Sequence, residues 1–370
     1  MAILTAAQEA EINEPLPRDP SAPNKLIVPE QTGDGAFRRQ RNWFTTRFGD
    51  GPGQAPVEPG RYRLLGSVSC GWARRQLIIQ RLLGLSDAVP FESLYTRAGE
   101  SWVITRYGEV AQRFGTNKLN DFYARTDPSF QGRGTSPTIL DLETGTVVTN
   151  NYHTIGIDFE TVWRPFHAAG APDLYPVALR PEIDLLNQQI FDDVNNGTYK
   201  VLFAANRPAA EAGLAVFHAR LRDYDFRLAS RRYLFGESIT DSDVRLFVTL
   251  SSYERAYRPR LAEILQGEEV LHLQDFPNLW AYARDLFAQG FADELEQYYL
   301  GLLPGPSGEY IRHNGFTGSL PLPDAAEALA QWQEPSGREG LTGSALASGP
   351  GTGGSGELWR FGADPVLVGR

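Results

Sequence analysis

Cysteine occurs once in the 370 residues, at Cys70, and its setting makes it a candidate for chemistry. It follows the strand-like run 61–69 (RYRLLGSVS) and opens CGWARRQLIIQRLLGL, where Trp72, Ile78, Ile79, Leu82 and Leu83 recur at helical spacing. A sulfur at the mouth of a helix sits beside unpaired N–H groups and the positive end of the helix dipole. That environment lowers a thiol pKa and favours the nucleophilic thiolate. Arg74 and Arg75 follow within one turn and either add positive potential or point outward. A lone cysteine is more often a small buried apolar residue; the strand-to-helix junction tips the reading towards a nucleophile. With no second cysteine there is neither a resolving thiol nor a cysteine metal cage. Any redox cycle must borrow a small cellular thiol through a mixed disulfide.

Pro137 is the second element. A proline after the small polar Ser136, at the start of a strand, suits a cis bond in a tight turn; the alternative is a plain trans proline opening the strand. Strand, cysteine, helix and then a proline-initiated hairpin is the thioredoxin arrangement, in which the proline loop faces the cysteine and hydrogen-bonds a thiol ligand through its backbone. Tyr199, Tyr298 and Tyr299 lie near helix ends, where they either donate phenolic hydrogen bonds to a ligand or pack on amphipathic faces. The histidines (His153, His167, His218, His272, His313) lack metal-binding spacing, so no metal is expected and surface or capping roles are. Gly349, Gly351 and Gly354 match G-x-G-x-x-G but follow no strand, which argues against a dinucleotide site.

These residues need elements to position them. Residues 1–55 are polar and rich in proline and glycine, with Phe37, Trp43, Phe44 and Phe48 in a basic stretch. They read as an extended arm partly pinned by its aromatics. Residues 56–158 read as an α/β, thioredoxin-like, thiol-binding domain: strand, helix, a strand candidate within 91–106 (SWVIT), then strands Thr138–Asp141 and Thr146–Thr149 around a Glu-Thr-Gly turn. Residues 165–305 form an all-α domain, with helices expected over 177–195, 208–229, 241–256, 277–289 and 291–300. Its clearest boundary is GESITDSDVRLF, where Thr240 caps a helix with Asp243 at the third position. The remainder, 306–370, reads as a loop-rich tail with a low-complexity linker over 335–357, after which Trp359, Phe361 and Val366 could dock as an anchor.

Composition bounds the function. The chain is 42% apolar and 22% charged, with material for a substantial core, and its net charge is −10. An acidic chain without a basic stripe disfavours nucleic acid as a partner. No apolar run reaches membrane-spanning length and no signal layout opens the chain, so a soluble, cytoplasmic protein is expected.

The run EPGRYRLLGSVSCGWARR resembles the entry strand and Cys-Pro-Trp-Ala motif of the glutathionyl-hydroquinone reductases, the xi class of glutathione transferases. Further segments agree in order: GAFRRQRNWFTTRFGDG, DPSFQGRGTSPTILDLETGTVVTNN, DLYPVALRPEIDLLNQQIFDDVNNGTYK and RYLFGESITDSDVRLFVTL. The resemblance implies a thioredoxin-like N-terminal domain, an all-α transferase C-terminal domain and a homodimer. It implies that Cys70 attacks the sulfur of a thiol–hydroquinone conjugate, that tyrosine hydroxyls at Tyr199 and Tyr299 aid departure of the hydroquinone, and that a second thiol reduces the mixed disulfide. Trp102 matches the ligand-contacting tryptophan, and Ser136 with Pro137 matches the cis-proline loop.

Four positions depart from the family pattern. Gly71 stands where proline follows the cysteine, so the helix start is expected to be looser. Asn151 and Tyr152 replace the Glu-Ser pair that holds the γ-glutamyl end of glutathione, and Asn120 stands where an arginine is expected. A ligand charge left without its partner costs affinity. The expected co-substrate is therefore glutathione or, preferred, a thiol without that zwitterion such as mycothiol. The bias of 35 basic residues toward arginine, with lysine only at Lys25, Lys118 and Lys200, matches a high-GC actinobacterial genome and agrees. Rival readings are a thiol-using lyase, isomerase or conjugating enzyme, and a non-catalytic binding protein on the same fold.

Overall fold

The computed structural model describes residues 30–39, 42–95, 102–266, 269–308, 310 and 324–342. Its described residues group into two compact units, one holding 42–172 and 305–308, the other 30–39, 173–304, 310 and 324–342. The short antiparallel pair β1 (Glu30–Gln31) and β2 (Phe37–Arg38) belongs to the second unit.

The first unit is built on a five-stranded sheet of β3 (Tyr62–Gly66), β4 (Phe91–Tyr95), β5 (Val103–Ile104), β6 (Thr138–Asp141) and β7 (Thr146–Thr149), in the order β5-β4-β3-β6-β7. β3 and β4 are parallel and every other pair is antiparallel. Parallel neighbours need a crossover, supplied here by α1 (Gly71–Leu82). Central β3 is buried at Tyr62, Leu64 and Leu65, which explains a run that is not a clean alternation. Helices α2 (Glu109–Phe114) and α3 (Leu119–Thr126) cover a core of Leu65, Leu94, Ile104, Phe122, Tyr123 and Leu140, while α4 (Ile155–Glu160) packs on α1. This is the thioredoxin-like unit.

The hairpin strands form where the sequence places them, turning at Gly145 with φ +68. The first strand is shorter than 61–69, ending at Gly66. The strand candidate within 91–106 divides into Phe91–Tyr95, the parallel neighbour of β3, and Val103–Ile104 inside SWVIT. Helices α2 to α4 were not foreseen: pieces of six to eight residues are too short to display a period. The stretch read as one extended arm divides between the units. In the first, Asn150 Oδ1 accepts the Trp43 and Phe44 N–H groups at 3.2 and 2.8 Å, and Phe48 is buried edge-on against Tyr62 and Trp163.

The second unit is helical: α5 (Arg180–Ile190), α6 (Gly197–Leu202), α7 (Arg207–Leu228), α8 (Asp241–Ser252), α9 (Arg258–Ile264), α10 (Pro277–Leu286), α11 (Glu294–Tyr299) and α12 (Ala325–Trp332). Widened turns at Phe191–Asn195 and Tyr253–Tyr257 continue α5 and α8. At the start of α8 the Asp243 carboxylate accepts from the Thr240 N–H and hydroxyl (2.7 and 2.8 Å), the Leu234 N–H (2.9 Å) and the Tyr282 hydroxyl (2.8 Å).

The loop-rich tail also holds a helix: Asp324 caps α12, and Trp332 packs on Trp280 and Phe287 with centroids 4.7 and 5.2 Å apart. Eight residues are too few for a helix to stand alone even when rich in alanine, so this one depends on that contact. His218, expected at the surface, is 6% exposed, because it sits on the buried side of α7. His313, the linker from 343 onward and the anchor residues Trp359, Phe361 and Val366 lie outside the described residues. Among those described, no helix is long and apolar enough to cross a membrane.

Candidate active site

Cys70 is the N-cap of α1, with extended backbone (φ −93, ψ 112), and it is half-buried. Its N–H donates to the Ser67 carbonyl at 2.9 Å, and its carbonyl accepts from Ala73 and Arg74 at 3.0 and 2.9 Å. Both sides of the cysteine are therefore fixed, and the helix forms with Gly71 in its first position. The Ser136–Pro137 peptide is cis, and the Cys70 thiol lies 3.6 Å from the Ser136 carbonyl, to which it donates. Ser136 Oγ accepts the Ser67 N–H at 2.9 Å, and Ser67 Oγ lies 2.8 Å from Ser69 Oγ. One serine thus ties the proline loop to the cysteine loop. Close approach is needed as well: a Cβ on Gly66 would come within 2.7 Å of Ala73 Cβ.

Beside the cysteine stands an aromatic wall. Trp72, in the first turn of α1, lies 4.8 Å from the Tyr152 ring, which in turn lies 4.4 Å from His153. The Tyr152 carbonyl accepts from Arg75 Nη2 and from Gln76 Nε2 at 3.2 Å, and the Arg75 guanidinium sits 5.9 Å from the Trp72 centroid. Of the two readings of Arg74 and Arg75, the outward one does not hold: both are buried, and Arg75 is drawn in by a carbonyl acceptor and a ring face.

Asn151 is held by the backbone of its own turn. Its N–H donates to Thr149 Oγ1 at 3.1 Å, and its carbonyl accepts from Thr154 and Ile155. Its Oδ1 accepts from the Asn42 side chain at 2.9 Å and from the His153 N–H at 3.2 Å. Asn150 Nδ2 donates to Thr135 Oγ1 at 2.7 Å, joining this segment to the residue before Ser136. Cys70, Ser136, Pro137, Asn151 and Tyr152 are accordingly linked along one rim of the first unit. Asn42, Ser67, Trp72 and Gln76 join that rim without having been singled out as site residues. Only the spacing of Trp72 carried a signal, and it pointed to packing.

The other expected residues have the following surroundings. Trp102 is partly buried against the core around Leu65 and Phe122, and its carbonyl accepts the Leu119 N–H at 3.0 Å; no hydrogen bond or ring contact joins it to Cys70 among the described residues. Asn120 Oδ1 accepts the Gly134 N–H at 2.6 Å, a loop contact. Tyr199, on α6 of the second unit, is surrounded by Phe37, Phe203 and Tyr257, with the Arg39 guanidinium 4.4 Å from its ring centroid. Tyr299 ends α11 edge-on to Tyr298 at 5.4 Å. Burial holds its phenol well above the ordinary value, so it stays protonated and able to donate. No ring contact joins Tyr199 to Tyr299 among the described residues. No group of three or more metal-ligating side chains is found among them either.

No family model matches the chain. Individual proteins do. Glutathionyl-hydroquinone reductase YqjG of Escherichia coli (strain K12) is 31% identical over 322 residues, covering 82% of this chain and 93% of its own. The glutathione-bound structure of that protein superposes with a TM-score of 0.64 at 27% identity, covering 83% of this chain and 98% of its own. The glutathione-S-transferase Xi of Phanerochaete chrysosporium superposes with a TM-score of 0.63 at 26% identity, covering 79% and 97%. With a thioredoxin-like unit, a helical unit and that extent of shared sequence, the chain is an enzyme of the glutathione-transferase-like oxidoreductase type and belongs, as a divergent member, to the Xi-class glutathione transferases that include the glutathionyl-hydroquinone reductases.

Proposed function

We propose that this protein removes a small-thiol adduct from a hydroquinone-like aromatic through a mixed disulfide on Cys70. The Cys70 thiolate attacks the conjugate's sulfur, the S–S bond forms as the aryl C–S bond breaks, and the aromatic carbon takes up a proton to release the hydroquinone. A second thiol then attacks the mixed disulfide, returning Cys70 and leaving as the symmetrical disulfide. The observation that carries this reading is Cys70 itself: a half-buried N-cap cysteine 3.6 Å from the carbonyl of a cis-proline loop. Trp102, Ser136, Pro137, Asn151 and Tyr152 are assigned to thiol binding, and Tyr199 and Tyr299 to protonating the leaving aromatic. Glutathionyl-hydroquinone reductase is the activity named for the Escherichia coli relative. For this chain we assign mycothiol as the preferred thiol, because no carboxylate stands at Asn151 and a ring fills the position of Tyr152. A homodimer in the cytoplasm, where reduced thiols are supplied, goes with the assignment.

The test is turnover of the glutathione and mycothiol conjugates of a hydroquinone by the wild type and by Cys70→Ser. Free hydroquinone should appear with the wild type, faster from the mycothiol conjugate, and Cys70→Ser should abolish it. Clean turnover of the glutathione conjugate alone would remove the mycothiol assignment. A product that keeps its C–S bond, or activity that survives Cys70→Ser, would remove the reductase reading.

A further inference from the structure

We propose that Asn42, reaching in from the segment before the first sheet strand, sets which thiol this site accepts by holding Asn151 in a donor-only orientation. The proposal rests on the thiol-binding reading above and names the class of thiol: one whose end group beside Asn151 offers hydrogen-bond acceptors, such as hydroxyl or carbonyl oxygens, and not an ammonium.

An amide oxygen has two lone pairs. On Asn151 both are taken, one by Asn42 Nδ2 at 2.9 Å and one by the His153 N–H at 3.2 Å. The backbone donor at His153 also fixes which way the amide faces, since a flipped amide would set two donors against each other. The Asn151 Nδ2 group has no protein acceptor among the described residues, so it is what the side chain can offer a ligand. Arg75, buried beside Tyr152, donates to its carbonyl. Among the described residues, neither Asn42 nor Asn151 hydrogen-bonds a carboxylate.

The experiment is calorimetric binding of glutathione and of its desamino analogue, which lacks only the ammonium, to the Cys70→Ser protein. With Asn42 and Asn151 intact, the two dissociation constants should agree within about threefold, or both should be too weak to detect. Adding Asn151→Glu with Tyr152→Ser should produce a preference of about tenfold for glutathione. Adding Asn42→Ala instead, a change in a partly exposed side chain that spares the fold, frees one lone pair of Asn151 and should shift the ratio about two- to fivefold towards glutathione. That ratio cancels any general loss of structure. A tenfold preference for glutathione in the unaltered site, or no preference gained by either variant, overturns the proposal. Because binding is read without turnover, a failure of hydroquinone release would count against the assigned reaction and leave this measurement decisive.

Discussion

Single side chains in this protein act through what they leave satisfied. Ser136 is buried, and its hydroxyl is the acceptor for the Ser67 N–H. Ser136→Ala should cost about 1–3 kcal/mol by stranding that N–H, read as a lower midpoint in urea. His218 shows the opposite case, a buried ring whose Nε2 has no partner. Burial, reinforced by Arg222 and opposed by Asp275, pushes its pKa down to about 4. The folded state therefore binds fewer protons than the unfolded one between that value and the ordinary 6.5. Stability is full above that ordinary value and is lost as pH falls through the window. Between pH 7 and pH 5 the loss should be about 2 kcal/mol, and His218→Leu should remove that part of the slope in denaturation series at the two pH values.

At the scale of elements, the boundary of α8 is held by one carboxylate with four donors. Asp243→Ala orphans all of them in a buried site and should cost about 3 kcal/mol or more, whereas Thr240→Ala should cost about 1 kcal/mol, both measured by thermal or chemical denaturation. The junction of β3 and α1 depends on size rather than hydrogen bonds. Gly66→Ala would press a methyl to 2.7 Å from Ala73 Cβ, and should cost about 1–3 kcal/mol and slow alkylation of Cys70 by displacing the first helical turn.

For the whole molecule, residues 324–342 of the tail belong to the second unit's structure. Arg338 is 3% exposed and donates to the carbonyls of Leu228 (2.8 Å), Arg232 (3.2 Å), Asn278 (3.2 Å) and Arg231. It thereby satisfies carbonyls at and beyond the C-terminal end of α7, and Trp332 covers rings of α8 and α10. Arg338→Ala should cost about 2–4 kcal/mol, seen as a fall in Tm, and truncation after residue 323 should cost more.

What lies within a few residues of itself was legible in the chain. The strand-to-helix junction at Cys70, the hairpin Thr138–Asp141 and Thr146–Thr149, and the Thr240 to Asp243 capping pair each carry their pattern locally, and the thioredoxin-like and helical units follow from their order. Tertiary structure alone decided that Arg74 and Arg75 turn inward, that His218 is buried, that residues 325–332 fold as a helix, and that Asn42 meets Asn151. The physical reason is the same each time. A side chain's partner is set by which surfaces pack together, and Asn42 and Asn151, 109 residues apart, share no period, cap or turn that could announce the contact.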